Sequence, residues 1–260
     1  MLKTKFRRNA TIVALVLSAV GAAAFTNATH SWGNYHWARK ANPFTLKLGD
    51  NVSSAWDAYL AAASTDWTKS IALDTTVVAG GTDSKRCRAT TGRVEVCNRA
   101  YGNTGWLGVA QIWISGNHIT KGTAKVNDTY FNLATYNTSA WRGLVMCQEI
   151  AHTFGLDHQD ENFSNLNLGT CMDYTSDPDG PPSNEHPNAH DYEQLETIYS
   201  HLDTITTVGQ TVARRGNHDD ADGVAEFGKA LRKDGKGKTS LYVRDLGKGE
   251  KVLTFVFWTE

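Results

Sequence analysis

The sequence predicts an α+β fold built around one core. Five segments between residues 44 and 131 have the residue pattern of strands, and two later segments have apolar residues at helical spacing. The end of the chain has the pattern of a β-hairpin. A domain of strands flanked by helices accommodates this order, and a chain of this length can bury one core.

The strands are predicted from alternation and from the glycine-rich breaks between them. They cover residues 44–50, 71–80, 92–101, 105–115 and 118–131. The first helix is expected to open at Asp50 or Asn51, because both are good N-cap residues. Its predicted apolar face consists of Val52, Trp56, Leu60, Ala63 and Trp67.

Two further helices are predicted later in the chain. One begins between Asn137 and Ser139 and runs to Phe154, and it places Gln148 and His152 on one face. The other covers residues 188–203. Residues 204–260 form an extension with no assigned role, and its last part, 241–258, is predicted to be a hairpin with a Gly-Lys-Gly turn.

The segment QEIAHTFGLDH has the spacing of a metal site. Residues four apart on a helix share a face, so Gln148 and His152 project together and Glu149 lies beside them. Gly155 can adopt the left-handed conformation that ends a helix, and the chain then returns to present His158. The pattern H-E-x-x-H-x-x-G-x-x-H matches at every specified position except the first, where glutamine replaces histidine.

The segment GTCMDYT (169–175) follows this pattern, with Met172 and Tyr174 in it. Together the two segments resemble the signature of the metzincin zinc peptidases, among them the matrixins and related secreted members. The resemblance covers residues 44–203. It implies a zincin domain with a twisted, mixed five-stranded sheet, an active-site helix and a Met-turn at Met172, and it implies a secreted, extracellular zinc endopeptidase that acts on protein or peptide substrates.

The resemblance also assigns roles to the residues. His152 and His158 are expected to bind Zn²⁺, with Gln148 in the place of the third ligand. Glu149 is expected to be the general base for the attacking water, and Tyr174 to donate a hydrogen bond to the oxyanion.

The glutamine leaves three possibilities open, because a neutral amide oxygen is a weaker zinc ligand than imidazole. Gln148 binds the metal through its carbonyl oxygen, or Asp157 or Asp160 completes the ligand set. Alternatively, the site holds no metal and the protein is a catalytically inactive, secreted binding protein. The presence of Glu149 argues against the third possibility, because a chain with no water to activate needs no carboxylate there.

The segment GWLGVAQIW (105–113) is a candidate for the substrate-binding edge of the sheet. Its glycines would let another backbone approach, and a substrate could add to the edge as a strand. An interior strand of a buried sheet is the alternative. His118 and His190 lie in no motif and are interpreted as structural.

Four cysteines follow the N-terminal segment, which favours two disulfides in an exported chain. Spacing alone does not fix their connectivity. We prefer Cys87 with Cys97, across a hairpin, and Cys147 with Cys171. A four-cysteine metal site is disfavoured because C-x-x-C pairs are absent.

Residues 1–24 have a basic start, an apolar run and small residues before the expected cleavage site, as in a secretory signal peptide. Residues 25–43 are expected to form a loose N-terminal lead. The formal net charge is −1, so nucleic acid and acidic lipid are not expected partners. We expect a monomer without stable membrane insertion once the signal peptide is cleaved.

Overall fold

The computed structural model describes residues 30–31, 33–211 and 224–260. The predicted signal peptide, 1–24, lies outside them. The strands are β1 (His36–Trp37), β2 (Phe44–Asn51), β3 (Leu73–Ala79), β4 (Val94–Arg99), β5 (Trp106–Ser115), β6 (His118–Asn127), β7 (Lys229–Lys233), β8 (Thr239–Gly247) and β9 (Glu250–Trp258). The helices are α1 (Asp57–Trp67), α2 (Asp128–Phe131), α3 (Ser139–His152) and α4 (Ala189–Ile198).

The strands form one mixed sheet in the order β3-β2-β4-β6-β5-β9-β8-β7, and β1 pairs with β6 outside this path. The pairs among β2, β3, β4 and β6 are parallel, whereas β5 pairs antiparallel with β6 and with β9. The prediction of an α+β fold with a mixed sheet is confirmed. The prediction of five strands is wrong, because β7, β8 and β9 of the C-terminal extension continue the same sheet beyond β5.

Strand β5 is therefore an interior strand of the described sheet. Strand β9 pairs with it along its whole length, from Trp106 opposite Trp258 to Ser115 opposite Glu250. The edge predicted at residues 105–113 is already covered by the chain's own C-terminal segment, and the alternative of an interior strand is correct. The predicted hairpin is formed by β8 and β9.

Helix α3 packs against β5 and β6 and against α1. Its N-terminus is capped by the side chain of Thr138, which accepts a hydrogen bond from the backbone N–H of Trp141 at 3.2 Å. Helix α1 begins later than predicted, at Asp57. Asp50 and Asn51 do not cap it because both belong to β2, where they pair with β3 and β4.

The described part of the N-terminal lead, residues 30–31 and 33–43, is packed against the domain, which corrects the expectation of a loose segment there. Trp37 is fully buried, and its indole N–H donates to the carbonyl of Thr153 at 2.8 Å. The guanidinium of Arg39 is buried too, and it donates to the carbonyl of Tyr199 at 2.7 Å. These partners satisfy the buried indole of Trp37 and the buried guanidinium of Arg39, so both side chains belong to the interior of the fold.

Both preferred disulfides are confirmed. Cys87 pairs with Cys97, and Cys147 pairs with Cys171, each with a Cα–Cα distance of 6.0 Å. The first bond does not cross a hairpin, because Cys87 lies in the loop that leads from β3 into β4. The second ties α3 to the turn that contains Met172. None of the helices in the described part of the chain combines the length and hydrophobicity that a membrane span needs.

Candidate metal centre and active site

Helix α3 and the turn after it bring the predicted metal-binding residues together. Gln148, Glu149 and His152 lie on the last turns of α3, and all three are almost completely buried. Gly155 has a φ of +96°, the left-handed conformation predicted for it, and the chain then returns to His158. The Nε2 atoms of His152 and His158 lie 2.9 Å apart.

The partners of the two Nδ1 atoms fix the tautomers of these histidines. His152 Nδ1 lies 2.9 Å from the carbonyl oxygen of Leu156, and His158 Nδ1 lies 2.6 Å from Glu161 Oε1. A carbonyl oxygen and a carboxylate oxygen only accept hydrogen bonds, so both Nδ1 atoms carry the proton. Arg232 contacts His158 Nδ1 only at 3.5 Å, which does not change this assignment.

Each imidazole therefore turns its Nε2 toward the other. At 2.9 Å the two nitrogens share either a proton or a metal ion, because two lone pairs at that distance would repel. Burial, together with the nearby His158, holds the pKa of His152 well below its ordinary value, which disfavours a proton on His152. A metal ion satisfies both nitrogens, so the pair fits a zinc site with imidazole ligands.

The side chain of Gln148 is held by its amide nitrogen. Nε2 donates to the carbonyl of Cys171 at 2.8 Å, whereas Oε1 is buried without a hydrogen-bond partner among the described residues. An unsatisfied buried acceptor costs about 1–3 kcal/mol, and a metal ion would satisfy it. The amide oxygen is thus available as the third ligand.

The carboxylate of Glu149 is fully buried, and neither oxygen has a hydrogen-bond partner in the part of the chain described. Burial raises its pKa well above the ordinary value. Gly108 of β5 makes room for it, because a β-carbon at that position would meet the Glu149 carboxylate. Gly108 therefore leaves space for the side chain of Glu149. It is not a position where the backbone of a substrate approaches in this structure.

The two aspartates considered as replacement ligands have other partners. Asp157 forms a bidentate ion pair with Arg232 of β7, at 2.5 and 2.6 Å. Asp160 accepts hydrogen bonds from the backbone N–H of Asn162 at 2.8 Å and from the side chain of Asn165. These contacts leave Gln148 as the candidate that has a free oxygen.

Met172 and Tyr174 are buried, and the carbonyl of Met172 accepts a hydrogen bond from the backbone N–H of Gln159, the residue after His158, at 2.6 Å. Met172 sits in a turn closed by a hydrogen bond from Asp173 N–H to the Thr170 carbonyl, at 3.3 Å. The ring of Tyr174 contacts the ring of His158, with centroids 4.4 Å apart. Its hydroxyl donates to the carbonyl of Val256 in β9 at 3.4 Å.

The C-terminal extension covers the site. Phe255 of β9 stacks on His152 with a centroid distance of 4.0 Å and an interplanar angle of 4°. From β8, the hydroxyl of Ser240 donates to Glu161 Oε1 at 3.2 Å. Arg232 of β7 approaches the same oxygen at 3.0 Å. Strands β7, β8 and β9 each supply a contact that closes the site.

Sequence reasoning missed Glu161, Arg232 and Phe255. Glu161 lies three residues after His158, and that short spacing is a signal that could have identified it. Burial acts to raise the pKa of Glu161, but the hydrogen bond and charge of His158 outweigh burial and lower it, so the carboxylate is ionised. The other two come from the extension, and nothing in the local sequence connects them with the helix motif.

The similarity of this chain to known proteins is weak. No protein-family profile matches the chain, and no curated protein matches it. Two solved structures that it resembles are myroilysin and the hatching enzyme zinc-protease HCE-1 from the medaka fish Oryzias latipes. Myroilysin shares 13% identity at a TM-score of 0.35, covering 63% of this chain and 96% of the other. The hatching enzyme shares 12% at 0.34, covering 65% and 96%.

Proposed function

We propose that this protein is a secreted zinc-dependent endopeptidase of the metzincin type, whose active site is closed by its own C-terminal strands. The observation that carries the proposal is the pair of Nε2 atoms of His152 and His158, which face each other at 2.9 Å. A zinc ion at this position would be bound by both rings. The unpartnered Oε1 of Gln148 supplies a third donor on the same helix face.

Zinc at this position would act as a Lewis acid toward a peptide carbonyl and toward water. His152 and His158 would hold it through Nε2, and the hydrogen bonds at their Nδ1 atoms keep both rings oriented. Gln148 would bind through Oε1 while its Nε2 stays on the Cys171 carbonyl. A neutral amide lowers the affinity for zinc relative to a third histidine but leaves the ligand geometry of the helix intact.

Glu149 is the proposed general base. A pKa raised by burial makes its carboxylate a good proton acceptor, so it can take the proton of the attacking water and deliver it to the leaving amine. The hydroxyl of Tyr174 is the proposed donor to the carbonyl oxygen on which negative charge develops. It already donates to a strand carbonyl, that of Val256.

Strand β9 occupies the place where an extended substrate would add to β5. A substrate strand can pair with β5 only after β9 has left, because each strand has only two hydrogen-bonding edges. The described conformation is therefore a latent form. Protein or peptide substrates would gain access when β9 detaches.

An inactive, secreted binding protein is the second candidate function. The replacement of a histidine by Gln148 and the complete burial of Glu149 favour it. It differs from the enzyme in one measurable respect, since it should release no peptides from a protein substrate under any condition that uncovers the site.

The first test compares the wild type with Gln148→His and Glu149→Ala. Each disulfide-intact protein is assayed for zinc content and for release of peptides from casein, with and without a chelator. The peptidase should hold zinc, and Glu149→Ala should abolish chelator-sensitive turnover. Gln148→His should raise zinc affinity. A wild type that stays metal-free at saturating zinc would overturn the proposal.

Latency is tested separately with Phe255→Ala, which removes the ring stacked on His152. Casein hydrolysis should rise at least several-fold, because β9 loses its contact with the site. Phe227→Ala is the matched control, since Phe227 is an equally buried phenylalanine of the extension in a different core cluster. Equal activities of the two variants would show that β9 does not limit access.

A further inference from the structure

A second group of histidines lies outside the site described above. The histidine clamp is defined as His36, His118, His201 and Asp203. His36 belongs to β1, His118 begins β6, and His201 and Asp203 follow α4. The Nε2 atoms of the three imidazoles lie 3.5, 3.2 and 3.8 Å from Asp203 Oδ1, in sequence order. The Nε2 atoms of His36 and His201 are 3.1 Å apart.

The ring of His36 is oriented by its backbone partner. Its Nδ1 donates to the carbonyl oxygen of Asn34 at 2.7 Å. Its Nε2 faces Asp203 Oδ1 at 3.5 Å, and His36 is only 5% exposed. An imidazole nitrogen and a carboxylate oxygen therefore stand side by side, as two ligands of one metal ion do.

The carboxylate of Asp203 is oriented by its second oxygen. Arg39 donates to Oδ2 from its backbone N–H at 3.2 Å and from Nη1 at 3.1 Å. Oδ1 is thereby turned toward the histidines. Both His36 and Asp203 are thus held in place by partners on the side away from the clamp's centre, as outer contacts hold the ligands of metal sites.

We infer that the histidine clamp binds a divalent transition metal ion of the zinc class. The ligand atoms of His36, His201 and Asp203 all lie within 4.8 Å of one another, and His118 contacts Asp203 beside them. Two imidazole nitrogens and one carboxylate oxygen form a ligand set that zinc prefers and that calcium and magnesium do not. Zinc bonds of 2.0–2.2 Å in a tetrahedron separate the ligand atoms by roughly 3.3–3.5 Å. The Nε2 atoms lie 3.2 to 3.8 Å from Asp203 Oδ1, and the Nε2 atoms of His36 and His201 lie 3.1 Å apart. These distances bracket that range.

The position of the clamp indicates a structural role. It joins the N-terminal lead, the start of β6 and the segment after α4, which are more than 80 residues apart in sequence. Metal bound there adds its binding free energy to the stability of the folded chain, because the unfolded chain does not hold these ligands together. The inference is independent of the proposed peptidase activity, since the clamp shares no residue with the catalytic site.

The test uses a variant that lacks the proposed catalytic zinc site, so that any bound zinc can be assigned to the clamp. In a His152→Ala background the full-length secreted protein is dialysed against Zn²⁺, and bound metal is measured by mass spectrometry. Co²⁺ is the spectroscopic probe, because tetrahedral nitrogen and oxygen ligation gives intense visible absorption. The His152→Ala protein should bind one ion and show this absorption, and zinc should raise its Tm.

Adding His201→Asn should lower the affinity for zinc at least tenfold and abolish the tetrahedral spectrum. His201 is half exposed, so the chain should still fold, which far-UV circular dichroism checks. His186→Asn is the matched control, because His186 is an exposed histidine that pairs with a single carboxylate, Asp66. A His152→Ala protein that binds no zinc, or equal zinc affinity in the His201→Asn and His186→Asn variants, would overturn the inference.

Discussion

At the residue scale, Glu149 carries an electrostatic cost. Its carboxylate has no partner among the described groups, and taking an unpaired charge out of water is unfavourable. Burial raises its pKa, so the metal-free folded state binds a proton more tightly than the unfolded state. Such a group makes the folded state relatively less stable as pH rises above the unfolded pKa. The proposed role of Glu149 as general base would account for an acid at this position.

We therefore predict that Glu149→Gln stabilises the metal-free protein at neutral pH by roughly 1–3 kcal/mol. The amide cannot ionise, so the difference from wild type should be small near pH 4 and should increase as pH rises through neutrality. Urea unfolding at several pH values measures it. Glu95→Gln is the control, since Glu95 is equally buried but pairs with Arg93 at 2.6 Å, and its replacement should destabilise. Destabilisation by Glu149→Gln would contradict the prediction.

At the element scale, the helices and most strands could be predicted because their signals are local. Helix α3 has apolar residues and the candidate metal ligands at helical spacing, and α4 begins with a capping box formed by Asn188 and Asp191. The pairing of β9 with β5 could not be predicted. It joins segments about 140 residues apart. The alternation of apolar and polar residues predicts which face of a strand is buried, but it does not predict which strand is its partner.

The same limit applies to the two groups of histidines. His152 and His158 are neighbours in sequence, so their spacing alone identifies them. His36, His118 and His201 come from three distant segments. Only the fold brings them together, and the interpretation of His118 as a residue without a motif followed from that.

The extension is attached to the site by one strong ion pair. The guanidinium of Arg232 binds both oxygens of Asp157, whose side chain is only 9% exposed. We predict that Arg232→Gln lowers the free energy of unfolding by about 1–3 kcal/mol, because it leaves a largely buried carboxylate unpaired. It should also raise casein hydrolysis, since β7 loses its contact with the site.

Lys236→Gln provides the comparison for this prediction. Lys236 also pairs with a carboxylate from the extension, that of Glu260, but both groups are about a third exposed. Such surface pairs contribute about 0–1 kcal/mol. Urea unfolding of the two variants should separate them clearly, and an equal loss would mean that Arg232 does not fasten the extension to the site.

At the scale of the whole molecule, the extension and the domain share one core. Leu253, Phe255 and Phe257 of β9 belong to the same cluster of buried apolar residues as Leu46 of β2. The nine strands in the described part of the chain form one sheet, so β9 covers the candidate active site as an integral part of the fold. Opening the site therefore has to break strand pairs of the main sheet, and we expect latency to be strong.

This architecture predicts that the described parts of the chain unfold together. Leu253→Ala should cost about 2–5 kcal/mol, because Leu253 is 2% exposed and its loss leaves a cavity. Leu46→Ala, at the other end of the sheet, should cost a similar amount in the same single transition. Tryptophan fluorescence and far-UV circular dichroism should give coincident curves for both variants. If the extension were an independent unit, Leu253→Ala would shift only part of the amplitude and leave the remaining transition at the wild-type midpoint.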